Sequence, residues 1–285
     1  GDSTQQVFRE LVRLQHPSVI AGLQWLTFRF LGAEEDVLWK FSPAIKKARQ
    51  LSGSNRSDPI ARSVFALDDF FGWSGKIEDL EPSLQSEGRL LLPFASANLG
   101  QLRSLGDAAD CAEVRREELA EAMRTARVRW GLLRPKAQLA QGSAAAPFIF
   151  PPGTVFVPRD LFRLELLPKD PFSLYGRQLL YVDKQSMLPV IKVVFDRAGH
   201  FWKLVLTAFE LASTQDQRRK IPAPAFTVVF DMSRAEVSVV DYLRIRVCET
   251  LPAELPVSLF DPRKMGSINV GGVGTPTQAP ELAQP

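Results

Sequence analysis

Residues 175–209, YGRQLLYVDKQSMLPVIKVVFDRAGHFWKLVLTAF, constrain the fold more than any other stretch. Runs rich in Val, Leu, Ile and aromatic residues cover 179–182, 188–195 and 201–209. The breaks between them, Asp183-Lys184-Gln185-Ser186 and Asp196-Arg197-Ala198-Gly199, are short and polar. Gly199 supplies the positive φ that a tight reversal needs. Runs this short between turn signals predict an antiparallel meander. Alternation places Ile191, Val193 and Phe195 on one side of the second strand, with Lys192 on the other. It places Trp202, Leu204 and Leu206 together on the third, with Lys203 and Thr207 opposite.

Two more pairs of runs follow the same rule. Residues 23–30 put Leu26, Phe28 and Phe30 on one face, and residues 37–41 return with Val37, Trp39 and Phe41 together. Near the other end, residues 226–231 and 237–247 form a hairpin. Phe226, Val228 and Phe230 share a face there, as do Val237, Val239, Leu243, Ile245 and Val247. Residues 42–53, 89–94 and 162–167 are further candidate strands. A short helix is expected over 4–14 and a longer one over 110–128, where Leu119, Ala122, Met123 and Ala126 form a stripe. The stretch 135–158 reads as a linker. Residues 55–79 are punctuated by Pro59, Gly72 and Gly75 and carry Asp68-Asp69 before Phe70, Phe71 and Trp73. Such exposed aromatics have a purpose at a cavity mouth or a partner surface. From Gly266 the Gly, Pro, Thr and Gln content predicts a disordered tail.

The pattern gives one mainly β (α+β) domain over 1–265, with 100–157 as an insertion carrying a helix and 266–285 as tail. Its centre is a large curved antiparallel sheet, an incomplete barrel with helices packed on the concave side. A net charge of +3 without a Lys/Arg block argues against nucleic acid. No apolar run reaches the ~18 residues of a membrane-spanning helix. The chain starts Gly-Asp-Ser, which fits a signal peptide already removed. Cys111 and Cys248 read as two free thiols dispensable for the fold, since nothing in the sequence places them together.

Catalytic signatures are lacking. His16 and His200 belong to no metal spacing, and His200 reads as a solvated turn residue. There is no GxSxG elbow, Walker loop or GxGxxG. Asp68-Asp69 has no third ligand at suitable spacing and reads as a polar turn or helix cap. Neither a cofactor nor a metal is expected, and the chain is read as a non-enzyme.

Two segments carry a resemblance. LTFRFLGAEEDVLWKFSPAIKKARQLSGSNRSDPIARSVFALDDFFGWSGKIED holds a strand ending in Phe, an LW-containing strand, a basic run, a DP turn, DDF and GK-x-ED. YGRQLLYVDKQSMLPVIKVVFDRAGHFWKLV resembles YGRRVLYID-x5-P-x5-YD-x2-G-x2-WK. Together they resemble an uncharacterised bacterial envelope family described as outer-membrane lipoprotein-sorting-like, similar in fold to the periplasmic lipoprotein carriers of the Lol system. The likeness covers roughly 23–94 and 170–247; residues 100–157 fit it poorly, and the family's usual N-terminal portion is shortened. It implies a lidded half-barrel, the periplasm, and genes near RND-type export pumps, with no agreed ligand.

The expected function is a periplasmic carrier for a lipid or other apolar ligand, serving an RND-type transporter or an outer-membrane protein. Its cavity candidates are Leu26, Phe28, Phe30, Trp39, Phe41, Tyr181, Ile191, Val193, Phe195, Trp202, Leu204, Leu206, Phe226, Val228 and Phe230. Phe70, Phe71 and Trp73 are the candidates for its mouth or for a partner. An envelope interaction module with a filled core is the alternative, and an unrecognised hydrolase a third. Because the faces rest on alternation, one bulge moves part of a strand to the other side.

Overall fold

The computed structural model describes residues 6–14, 18–61, 63–94, 101–103, 111–115, 155–213, 220–242, 244–248 and 257–267. They fall into two compact units, residues 1–53 with 252–285 and residues 54–251, where the sequence suggests one domain over 1–265. In the first unit β1 (Gln6–Arg13), β2 (Gln24–Phe30), β3 (Val37–Ser42) and β4 (Lys47–Leu51) form an antiparallel sheet in that order. The helix expected over 4–14 is corrected to β1. Its Val7, Phe8 and Val12 suit a strand, and pairing with β2 from Gln6 to Arg13 outweighs a weak helical period. Leu26, Phe41 and Met265 form this unit's core, with Leu11, Phe28, Trp39, Ala48 and Phe260 packed around them.

The second unit holds β5 (Leu80–Phe94), β6 (Gln101–Arg103), β7 (Cys111–Arg115), β8 (Val155–Pro168), β9 (Arg177–Asp183), β10 (Pro189–Phe195), β11 (Phe201–Ser213), β12 (Lys220–Asp231), β13 (Glu236–Asp241) and β14 (Arg244–Cys248). The expected meander is β9-β10-β11, at the middle of a seven-stranded antiparallel sheet ordered β13-β12-β11-β10-β9-β8-β5. Asp183 fixes the first reversal. It accepts the Ser186 N–H and hydroxyl and a bidentate pair from Arg159. Burial pushes its carboxyl up, but these bonds outweigh that and hold it below the usual carboxylate range.

The sheet is open and curled. β5 and β8 run far beyond the short β9 and β10, and so do β11 and β12. Beyond the β9–β10 turn the long strands come together, and Leu92 of β5 packs with Leu161, Val190 and Phe209. Tyr181, Leu188 and Ile191 pack against that cluster, so the side bearing Tyr181 and Ile191 is the concave one.

Three expectations are corrected here. The helix over 110–128 begins inside β7, which pairs with β14 and β6; residues 116–128 lie outside the described ones. Non-local ladders override a local helical stripe. The expected last hairpin divides: β13 stays in the large sheet while β14 belongs to a three-stranded sheet ordered β14-β7-β6. The β7–β14 register sets Cys111 opposite Cys248, a pairing that no local pattern predicts. The linker over 135–158 ends in strand, because β8 starts at Val155; the tail over 266–285 lies almost wholly outside the described residues.

Every helical segment among the described residues is a short 3-10 turn. Three of them, within residues 53–79, lead into β5. Gly72 ends one of them at φ +83, and a Cβ there would lie 2.3 Å from the Pro189 carbonyl oxygen. Gly199 has φ +85 with nothing within 4 Å of its absent Cβ. Urea unfolding is therefore expected to separate the two. Gly199→Ala should cost about 1 kcal/mol, the backbone penalty alone. Gly72→Ala should cost clearly more, about 2–4 kcal/mol, because backbone must also move.

Candidate functional site

Cross-strand register assembles an apolar plate on the concave face. Tyr181 lies opposite Ile191, Ile191 opposite Leu206, Leu206 opposite Val228, and Val228 opposite Val239. A second row runs Leu179, Val193, Leu204, Phe230, Val237. Both rows span five strands. At roughly 4.8 Å per strand, each is about 19 Å long. Phe195 continues the plate and carries the Arg177 guanidinium 4.0 Å above its ring centroid.

The two faces of this sheet differ in burial. Along β10, Lys192 and Val194 are buried on the face away from the plate, and Val190 is buried in the Leu92 cluster, while Ile191, Val193 and Phe195 are partly buried. Along β11, Lys203, Val205 and Thr207 are buried while Leu204 and Leu206 are partly so. Over β10 and β11 the plate is thus the less covered side; it is closed at Leu179 and where Phe226, Val228, Val237, Ala208 and Ala225 form a filled cluster.

Residues 54–79 cover the convex face, and an ionic network holds them there. Lys192 and Asp69 are fully buried with Nζ 2.6 Å from Oδ1. Lys192 Nζ also donates to the Asp68 carbonyl at 2.8 Å. Asp69 accepts the Ala66 N–H at 2.8 Å and the Tyr175 hydroxyl at 3.4 Å. Arg56 pairs with Asp68 at 2.9 Å and donates to the Ser74 carbonyl. The carboxylates of Asp68 and Asp69 are thus engaged by cations. Asp69 does cap a turn, as its sequence suggests, but it also neutralises a buried lysine. Burial, then Asp69 nearby, pushes the Tyr175 phenol well above its ordinary value. Lys203 is equally buried, its Nζ has no hydrogen-bond partner among the described residues, and it lies 4.5 Å from the Trp202 ring centroid. Burial pushes its amine below the usual lysine range.

The sequence-predicted cavity residues divide among different places. Tyr181, Ile191, Val193, Phe195, Leu204, Leu206, Val228 and Phe230 meet on the plate, and Phe226 lies in its filled end. Trp202 does not join them. The ladder shifts register between Val194 and Phe195, and the indole turns to donate to Asp231 and meet the Tyr175 ring edge-on. Leu26, Phe28, Phe30, Trp39 and Phe41 belong to the other unit's sheet. There Leu26 and Phe41 are core, and Trp39 and Phe41 line an open groove of about 640 Å³ with Lys46, Lys47 and Met265.

Phe70, Phe71 and Trp73 are placed on the convex side, not at a mouth over the plate. Trp73 packs on Leu80, Leu166 and Leu180, and Phe70 meets Phe65 edge-on. Phe71 is 45% exposed and stacks on Tyr242. Sequence reasoning missed Leu179 and the plate's edge on β8 and β5, where a groove of about 230 Å³ is lined by Ser86, Leu161, Arg163 and Tyr181. The strand read over 162–167 contained the signal for Arg163. The polar run SLQSEGR hid β5.

Residues 2–246 match the family described as protein of unknown function (DUF1329). No curated protein matches the chain. A domain from Vibrio parahaemolyticus described as outer membrane lipoprotein-sorting aligns at TM-score 0.52 and 18% identity, over 90% of this chain and 77% of that one. A DUF1329 family protein from Desulfovibrio piger aligns at TM-score 0.53 and 15% identity, over 90% and 76%. The chain shares the fold of both.

Two stability measurements follow from the network. Asp69→Asn leaves Lys192 buried without a counter-charge and should cost about 3–5 kcal/mol, much of it recovered in Asp69→Asn/Lys192→Met. Lys203 gives the opposite sign. Its folded value is lowered, so the unfolded chain binds more protons between the two values and stability rises with pH across that window. The penalty is full below the lowered value and is gone above about 10.5, the ordinary value. Lys203→Met should therefore be more stable than wild type at pH 7, with the advantage shrinking as pH rises through the window.

Proposed function

The chain belongs to the DUF1329 family, and on that footing we propose that it is a non-catalytic carrier for a lipid or other apolar ligand in the bacterial periplasm. The observation behind this reading is the contrast between the faces of the seven-stranded sheet. The convex face is sealed, charges included. The concave plate is apolar across five strands and partly open over β10 and β11. An acyl chain laid on it gains about 0.8 kcal/mol per buried methylene before ordering costs. Ten methylenes give about 8 kcal/mol, ample for a carrier. Sharing the fold of a lipoprotein-sorting domain supports the same reading. The resemblance to envelope proteins encoded near RND-type pumps favours such a pump, or an outer-membrane protein, as the partner. No described helix is long and apolar enough to cross a membrane.

A second reading has its own observation. Phe71, exposed and stacked on Tyr242, offers an aromatic contact on the convex side to a protein partner. Phe71→Ser should then weaken that partner's binding and leave ligand binding unchanged.

The carrier reading is tested on delipidated protein with a neutral fluorescent acyl ester. Wild type should bind it with a negative heat-capacity change and little dependence on salt. Val193→Gln and Leu204→Gln should abolish binding at a cost of less than ~2 kcal/mol in stability, because a partly open face hydrates a new polar group. If wild type binds no apolar probe and both variants unfold, the plate is ordinary core. Mass spectrometry of an organic extract of gently purified protein identifies the natural ligand.

A further inference from the structure

The register that builds the plate continues past Tyr181 to two more strands. Arg163 on β8 lies opposite Tyr181, and Ser86 on β5 lies opposite Arg163. One row therefore reads Ser86, Arg163, Tyr181, Ile191, Leu206, Val228, Val239, with hydrogen-bond donors at one end and apolar side chains along the rest.

The charges around the 230 Å³ groove at that end are mostly neutralised within the protein. Arg89 makes a bidentate pair with Asp160. Glu87 is taken by Lys184. Nearby, Arg159 is held by Asp183, and Glu165 by Arg177 and Gln85. Arg163 is different. No carboxylate reaches it among the described residues, and its Nε is buried without an acceptor. A guanidinium N–H removed from water and left unbonded is unfavourable until an acceptor arrives. A planar oxyanion fits its fork, and the Tyr181 phenol and Ser86 hydroxyl stand next to it in the same row.

We propose that Arg163, Tyr181 and Ser86 form a headgroup subsite for a carboxylate or phosphate, and that the carrier's ligand is an anionic amphiphile whose chain lies along the plate. The proposal rests on the carrier reading and adds the ligand's charge. The subsite sets the direction of binding: the anionic head at the β5–β8 edge, the tail over Ile191, Val193, Leu204 and Leu206 of β10 and β11, ending short of the filled cluster on β12. Specificity comes from the buried Nε–H of Arg163, because a neutral head would leave it without a charged acceptor.

The test compares two probes of the same chain, cis-parinaric acid and its methyl ester, on the delipidated full chain. Wild type should bind the acid at least tenfold more tightly than the ester, with salt weakening only the acid. Arg163→Gln should remove the preference by weakening the acid alone, and Arg163→Lys should restore part of it. Tyr181→Phe keeps the ring on the plate and should lower the preference severalfold. It decides the matter if Arg163→Gln fails to fold. A long-chain alkyl phosphate set against the parent alcohol then separates the two headgroups: the one with the larger preference over its neutral partner is the natural class. Equal binding of acid and ester by wild type overturns the subsite and leaves the carrier intact. So does a loss in Arg163→Gln that is equal for both probes. Failure of every probe to bind wild type overturns the carrier reading and the subsite with it.

Discussion

The buried pair of Asp69 and Lys192 decides which side of the sheet is available. Two charges taken wholly out of water are costly unless each is met by its counterpart and by further hydrogen bonds. Asp69 has Lys192, the Ala66 amide and the Tyr175 hydroxyl; Lys192 has Asp69 and the Asp68 carbonyl. The pair also fixes register. A one-residue slip of β10 would carry Lys192 to the concave face and bring Ile191 or Val193 against Asp69. With residues 54–79 held on the convex side, the apolar side chains of the other face have less to cover them. The partly open apolar face is thus a consequence of where the charges are buried.

This explains how the sequence could be read well in one respect and poorly in another. Alternation in residues 175–209 located the plate, because Ile191, Val193, Leu204 and Leu206 follow a strict period of two. The same alternation makes Lys192, Lys203 and Thr207 look like a solvent face. Nothing local distinguishes a solvated lysine from one paired with a distant aspartate, and Asp69 belongs to a turn far away in the chain. Trp202 was misplaced for a smaller reason: the register shift beside Phe195 has no mark in the residues themselves. β1, β7 and the first half of β5 were missed because long-range pairing, and not propensity, makes them strands. Leu26 and Phe41 follow the right period but serve a separate core closed by Met265. Period alone does not assign a strand to a unit.

The length of the strands completes the division of labour. β9 and β10 are short, and their turn is locked by Asp183 with Ser186 and Arg159. Past that turn β5 and β8 meet β11, and Leu92 against Phe209 bends the sheet about the shortened strands. Bending shapes the plate into a concave surface, and the partial cover over Ile191, Val193, Leu204 and Leu206 leaves apolar area that a ligand can remove from water. A filled core at the same place would gain that energy on folding and have none left for binding. The present arrangement gives up part of it in the free protein, which under the proposed carrier function a ligand would recover, while the ionic network and the Phe226 cluster hold the sheet.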